Sequence, residues 1–258
     1  VTLLFMCAFC AFLWPIFCAI VWPVFRNPRS SDEKAITMRF DWLLRGSAQV
    51  TIVFFALVAV AVFTQLFKNT ITRSLPFWLR ALLKAGPALF LTWLSWYVGE
   101  PLTALMFLFC SLGDILLDLP EDKFPRGFEI GGISFALALI CVCILSNQRP
   151  LLHHPLVPLA ITNVVIAIFV LRWVLPKLQG GERILEVTYF ALLIVANVFA
   201  STSYVPVFLG SSLWFMSDLS IGLGAKVSDD PVNSLDTLGL YHLGLYFLAI
   251  GFLGRMIF

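Results

Sequence analysis

A succession of apolar runs, each long enough to cross a bilayer, constrains this chain more than any other feature. The runs cover approximately residues 3–25, 44–67, 77–98, 101–119, 128–145, 155–175, 184–200, 205–224 and 238–258. A helix of about 20 mostly apolar residues spans roughly 30 Å of hydrocarbon. Lipid tails offer no hydrogen-bond partners, so each span must satisfy its own backbone. Unbroken apolar runs do this as helices, whereas barrel strands alternate apolar and polar residues. The expected fold class is therefore all-α: a polytopic transmembrane helical bundle of about nine spans.

Composition agrees with that reading. Hydrophobic residues make up 60% of the 258 and charged residues only 12%, too few to cover a water-facing domain. The run over residues 3–25 is too long for the core of a secretory signal and has no basic segment ahead of it, so it reads as a span or signal anchor. All six cysteines (Cys7, Cys10, Cys18, Cys110, Cys141, Cys143) lie in apolar runs, where a thiol behaves as a small hydrophobe. Cys141 and Cys143 point apart on a helix, and Cys7 with Cys10 has no His or acidic residue nearby, so neither a disulfide framework nor a metal site is expected. The net charge of +2 is scattered over loops and carries no nucleic-acid signal.

Turn-forming residues punctuate the runs: Asn27-Pro28, Gly99-Glu100-Pro101, Gln148-Arg149-Pro150, Gly180-Gly181 and Asp229-Asp230-Pro231. The longest polar stretch, residues 26–41, is expected to form at most an interfacial helix. Residues 1–43 then read as an N-terminal transmembrane helix and polar loop, and residues 44–258 as one eight-helix membrane domain. No internal repeat is visible, which argues against an inverted-repeat transporter. Alternation of nine spans places ten basic residues on one face of the membrane and seven on the other. That is too even a division for the positive-inside rule to assign an orientation.

Parity does predict proximity. Asp114 stands near the end of the fourth run and Asp218 in the second half of the eighth, and both runs travel in the same direction. Lys84 begins the third run, Glu186 and Tyr189 begin the seventh, and Tyr241 with His242 begins the ninth, all from the face toward which the two aspartates lie. Five spans thus deliver ionisable or phenolic residues to one layer, which is expected to form a polar cavity. Carboxylates within apolar spans cost several kcal/mol and are functional candidates by default. There are plainer readings. Lys84, Glu186 and Asp118 are close enough to span ends to snorkel to the headgroups, Tyr189 and Tyr241 can be interfacial aromatics, and His242 can be a satisfied polar contact. For Asp114 and Asp218 the plain reading is a structural hydrogen bond or a pairing with Lys84. Ser217 and Gly113 leave room beside each carboxylate.

At these residues the chain resembles the YhhN-like lysoplasmalogenase family of multispanning membrane hydrolases. The resemblance is carried by Lys84-Ala85-Gly86-Pro87, by Gly113-Asp114-Ile115-Leu116-Leu117 and by Ser217-Asp218-Leu219-Ser220, in that order, with Tyr189 and Tyr241 opening later spans. It runs from about residue 44 to the end, leaving the first span as an addition to a core of eight. Two positions depart from the family pattern. Leu139 stands where a His follows Gly131 and Phe135, and Leu245 follows Gly244 where a Gln is usual.

The resemblance implies hydrolysis of the vinyl-ether bond of a lysoplasmalogen, or a related lysophospholipid, to a fatty aldehyde and a glycerophospho-alcohol. Vinyl ethers are protonated at carbon and the resulting cation is attacked by water. One carboxyl then acts as acid while another stabilises the cation and activates water. By the resemblance Asp114 and Asp218 form that catalytic pair, in unassigned order. Lys84, Tyr189, Tyr241, His242, Ser217 and Asp118 are expected around the substrate. No cofactor, metal or nucleic acid is expected. The partners are membrane lipids and a lysophospholipid arriving laterally from the bilayer, which would be the endoplasmic reticulum membrane in a eukaryote or the inner membrane in a bacterium. Two alternatives stand beside this. One is a non-catalytic lysolipid-binding or transport protein using the same carboxylates. The other is an intramembrane aspartyl protease, for which Ser111 replaces the first Gly of a G-x-G-D motif.

Overall fold

A computed structural model describes residues 33–67, 75–120, 123–148, 157–174, 180–224 and 231–254. The described residues form eight α-helices and no strand. These are α1 (Glu33–Leu66), α2 (Phe77–Tyr97), α3 (Pro101–Leu117), α4 (Gly127–Gln148), α5 (Val157–Val174), α6 (Gly180–Ser201), α7 (Val205–Gly224) and α8 (Pro231–Leu253). The expected first span, residues 3–25, lies outside the described residues, as do Cys7, Cys10 and Cys18.

Helix ends follow the punctuation in most places. Pro76 precedes α2 and Pro101 occupies the first turn of α3, where a missing N–H costs nothing. Three boundaries differ from the apolar runs. Much of the polar stretch before residue 44 is helical and continuous with the span, because Glu33 to Arg45 contains neither Pro nor Gly. Gly180-Gly181 opens α6 instead of lying in a loop, and Pro231 likewise opens α8. By packing, the chain divides into two compact units, Val1–Gln49 and Val50–Phe258. Everything below concerns the second.

Three helical segments are long and apolar enough to cross a membrane: Ala48–Leu66, Gly127–Gln148 and Ile184–Ser201, with mean hydropathies of 2.1, 2.4 and 1.9. Shorter apolar helical segments occur at Pro101–Leu117, Ala160–Phe169 and Thr237–Leu253. The distribution of side chains also marks a membrane protein. Ile52, Phe169 and Ile184 present 68%, 79% and 72% of their surface to the outside, while Asn163, Asn197, Ser211, Ser212 and Asp114 are buried. Contiguous apolar surface of this kind is unfavourable in water and natural against lipid.

The packing order explains where a site can form. Helix α2 packs on α3, α3 on α4, α4 on α6, α6 on α7, α7 on α8, and α8 returns to α2. Six helices therefore close a ring, and α5 packs outside it on α6 and α7. The α7–α8 seam is the tightest. A Cβ at Gly210 would stand 2.7 Å from the Gly244 carbonyl oxygen, and one at Gly244 would stand 2.9 Å from that of Gly210. Only glycine lets the two backbones approach so closely, the usual device where lipid removes any hydrophobic drive between helices. Polar contacts bind α5, α6 and α7. Asn163 Nδ2 donates to Asn197 Oδ1 (3.0 Å) and to Ser212 Oγ (3.1 Å), and Asn197 Nδ2 donates to Ser211 and Ser212. Outside the ring, Thr51 of α1 shares a 2.7 Å hydrogen bond with Tyr246 of α8, and Phe54 stacks on the same tyrosine.

Candidate active site

All six ring helices contribute a side chain to one interior region. Helix α3 carries Asp114, which is 3% exposed. Its Oδ2 accepts a hydrogen bond of 3.0 Å from the hydroxyl of Tyr241 on α8. Helix α7 carries Asp218, whose Oδ2 accepts one of 2.6 Å from the hydroxyl of Tyr189 on α6. The two carboxyls are near enough to interact electrostatically. Lys84, on α2, reaches Asp114 and His242 in the same way. Pro87 follows one turn after Lys84 and removes an N–H from the helical ladder at that depth.

Aromatic rings fill the space between the pairs. Phe135 of α4, Trp214 of α7 and Tyr241 meet edge to face, with centroid distances of 6.1 Å (Phe135–Trp214), 5.8 Å (Phe135–Tyr241) and 5.9 Å (Trp214–Tyr241). The Phe135 ring lies where a Cβ on residue 113 would be, 2.6 Å from its nearest atom. Gly113 thus admits the ring beside Asp114, a role distinct from giving room to the carboxyl itself. Trp214 stands one turn before Asp218 on the same face of α7. Its indole faces the Asp218 carboxyl and the Tyr189 hydroxyl. Cys110, one turn before Asp114, is fully buried and faces the Tyr241 hydroxyl.

The structure brings together most of the residues marked in the sequence and sets others aside. Asp114, Asp218, Tyr189, Tyr241 and Lys84 converge. His242 is fully buried beside Tyr241, with its Nδ1 2.8 Å from the Leu238 carbonyl one turn earlier and its ring near the Lys84 backbone. Ser217 donates to the Thr237 carbonyl at 2.9 Å, a stitch between α7 and α8. Asp118 accepts from Gln65 Nε2 of α1 at 3.2 Å, one turn beyond Asp114. Glu186 is partly exposed one turn before Tyr189. Leu139 and Leu245 are buried apolar residues of the interior, at 1% and 0% exposure.

Sequence reasoning missed Trp214 and Phe135 as parts of the site. A signal existed for each: Trp214 is four residues before Asp218, and Phe135 lies one turn after Gly131 on the helix next to Asp114. Among the described residues no group of three or more His, Cys, Asp or Glu side chains converges to hold a metal ion. The ring can therefore offer a ligand two carboxyls, each held by a phenol from a facing helix, one ammonium, and otherwise apolar walls.

Comparison with known proteins adds one finding. A protein-family model described as the YhhN family matches residues 79–252, from the start of α2 to the end of α8 and well over half of the chain. It leaves α1 outside. Neither a curated protein nor a solved structure matches the chain.

Proposed function

The chain belongs to the YhhN family, and on that premise we propose that it is a membrane-embedded hydrolase that cleaves the vinyl-ether bond of a lysoplasmalogen or a related lysophospholipid. The reading includes the full span count: the apolar runs cross the bilayer about nine times, and residues 44–258 form the catalytic domain. The observation that carries it is the pair of interior carboxyls, Asp114 and Asp218. Each is held by a tyrosine from a facing helix, and the two are close enough to feel one another.

The chemistry follows from that pairing. A proton passes from one carboxyl to the double-bond carbon remote from the ether oxygen, whose π electrons form the new C–H bond. The positive charge left on the ether-bearing carbon is shared with oxygen and stabilised by the second carboxylate. That carboxylate takes a proton from water as the water oxygen bonds to the cationic carbon. The second carboxyl, now protonated, gives its proton to the ether oxygen as that C–O bond breaks, and the first takes the proton of the hemiacetal hydroxyl, so that the glycerophospho-alcohol and the aldehyde leave and both carboxyls return to their starting states. Tyr189 and Tyr241 keep the carboxyls oriented, and the Lys84 ammonium suits the lipid phosphate. Placing the reaction inside a helical ring suits a substrate that never leaves the bilayer, and apolar walls strengthen every charge interaction of the cationic intermediate.

Purified protein offered a lysoplasmalogen, an ester lysophospholipid and a peptide substrate in parallel tests this. Aldehyde is expected from the first alone. Asp114→Asn and Asp218→Asn are each expected to lower its release by about a hundredfold or more, the usual worth of a positioned acid or base. Aldehyde release that survives either substitution would sink the mechanism, and no reaction with any substrate would favour a binding or transport role.

A further inference from the structure

Arg80 carries a charge that no described residue pairs with. It stands in the first turn of α2, two residues from Trp78 and two from Leu82, which present 55% and 46% of their surface to the outside. Two residues turn a helix by about 200°, so Arg80 points to the opposite side, into the bundle. The residue is half-buried, and its Nε is enclosed without a hydrogen-bond partner. An arginine that only snorkels keeps its guanidinium among headgroups or water. Enclosing part of that group with nothing to donate to is costly, and the arrangement points to an anion that arrives with the ligand.

The neighbours of Arg80 show where that anion lies. Lys84 is four residues further on, on the same face of α2 and one turn, about 5.4 Å, deeper. It interacts electrostatically with Asp114. Toward the rim, Phe77 precedes Arg80 by three residues, and the exposed Lys123 lies over its ring at 5.2 Å. Three cations, Lys123, Arg80 and Lys84, therefore mark one path from the rim of the ring toward Asp114. Asp118, one turn beyond Asp114, has Gln65 as its partner. A guanidinium fork matches the oxygens of a carboxylate or a phosphate. In a lysoplasmalogen the anion is a phosphate, and the glycerol unit sets it roughly one helical turn, about 5.4 Å, from the vinyl ether. With the vinyl ether at Asp114, level with Lys84, the phosphate falls at Arg80.

We propose that Arg80 binds the phosphate of the lysolipid, with Lys84 on its inner side, and so holds the vinyl ether at Asp114. The inference rests on the lysolipid-hydrolase reading and adds a binding residue to it. The main contact of the anion moves from Lys84, whose charge Asp114 shares, to the unpaired arginine one turn nearer the rim. Arg80 then determines binding and not chemistry, because it touches the headgroup and leaves the carboxyl pair alone.

The test reads binding apart from turnover. The full chain in maltoside micelles, which bring no phosphate, is titrated with 1-O-hexadecyl-glycerophosphocholine, a saturated ether with no double bond to protonate. A parallel titration uses 1-O-hexadecylglycerol, which lacks the phosphate. The natural protein is expected to prefer the phospholipid by about thirtyfold, the worth of a hydrogen bond to a charged group. Arg80→Gln is expected to lower the preference to about threefold while binding hexadecylglycerol as before, which also reports an intact fold. Arg80→Lys, which restores the charge without the fork, is expected to recover part of it. With lysoplasmalogen as substrate, Arg80→Gln should raise KM by about tenfold and leave kcat within about twofold. Equal binding of the two lipids by the natural protein would overturn the proposal, as would a preference that survives Arg80→Gln, or an equal loss of affinity for both lipids in the two variants. Displacement of the ether phospholipid by inorganic phosphate at the same concentration would overturn it too, by assigning Arg80 to a free anion. A preference that Arg80→Gln abolishes, in a protein that releases no aldehyde, would uphold the phosphate site and refute the catalytic reading. Aldehyde release without such a preference would do the reverse.

Discussion

Asp114 with Tyr241 and Asp218 with Tyr189 are the same two side chains joined by the same kind of hydrogen bond, yet their surroundings differ. Asp114 and Tyr241 are both buried, at 3% and 5% exposure, between α3, α4 and α8. Asp218 and Tyr189 are both partly exposed. Phe135 seals the first pair, and Gly113 makes that possible by having no side chain in the ring's way. Along α7 the second pair has the Trp214 indole as a neighbour. The difference teaches which half of the site is scaffold as well as chemistry. The enclosed pair cannot exchange its hydrogen bond for one to an outside group without the interior moving. The part-buried pair is less tightly enclosed.

The largest effect is expected where the two halves are joined. Asp218 rides on α7 and Tyr241 on α8, and the glycine seam sets the distance between these helices. Gly210→Ala would push a methyl group against the backbone of residues 244 and 248, which no rotamer change can relieve. The variant should lose about 3 kcal/mol or more of stability and release little aldehyde, as read by thermal unfolding and activity on the same preparation. A variant as stable and active as the parent would show that the seam does not tie the two pairs together.

Next in size is the contrast between the phenols. Tyr241→Phe strands a buried carboxyl without its donor and should cost about 1–3 kcal/mol, whereas Tyr189→Phe, at the part-buried pair, should cost under about 1 kcal/mol because its carboxyl is less enclosed. Equal losses in unfolding midpoint would erase the distinction between an enclosed and a part-buried pair. The smallest effect is expected at the rim. Gln65→Leu removes the donor to Asp118 one turn beyond Asp114, in a half-buried contact of 3.2 Å. It should shift stability by about 0.5 kcal/mol and leave aldehyde release within about twofold. A larger loss of activity would mean that α1 takes part in arranging the enclosed pair.

Much of this site is legible along the chain because lipid makes polar residues conspicuous. Asp114 and Asp218 stand out in apolar runs where each charge is costly, and the structure brings them to one interior region with Lys84, Tyr189 and Tyr241. Ser217 shows where such reasoning stops. It is adjacent to Asp218, but neighbours on a helix point about 100° apart, and its hydroxyl is spent on the Thr237 carbonyl. Trp214 and Phe135 show the opposite failure. Apolar aromatic residues are abundant in every span, so nothing in composition separates a ring that faces lipid from one wedged between two carboxyls. The helical character of Glu33 to Asp41 was hidden for a third reason: hydropathy marks where a helix meets lipid, not how far its hydrogen bonding runs.

What the sequence determined by itself is the lipid-facing character and the helical class, because backbone satisfaction in hydrocarbon leaves a chain of long apolar runs no other course. The ring closure of α2, α3, α4, α6, α7 and α8, the matching of each aspartate to its own tyrosine, and the placing of the Trp214 indole beside Asp218 were decided by tertiary structure alone. These depend on the rotation of each helix about its axis and on how closely pairs of helices approach. Glycines at 113, 210 and 244 set those quantities through contacts between residues far apart in the chain, which no periodicity along one helix encodes.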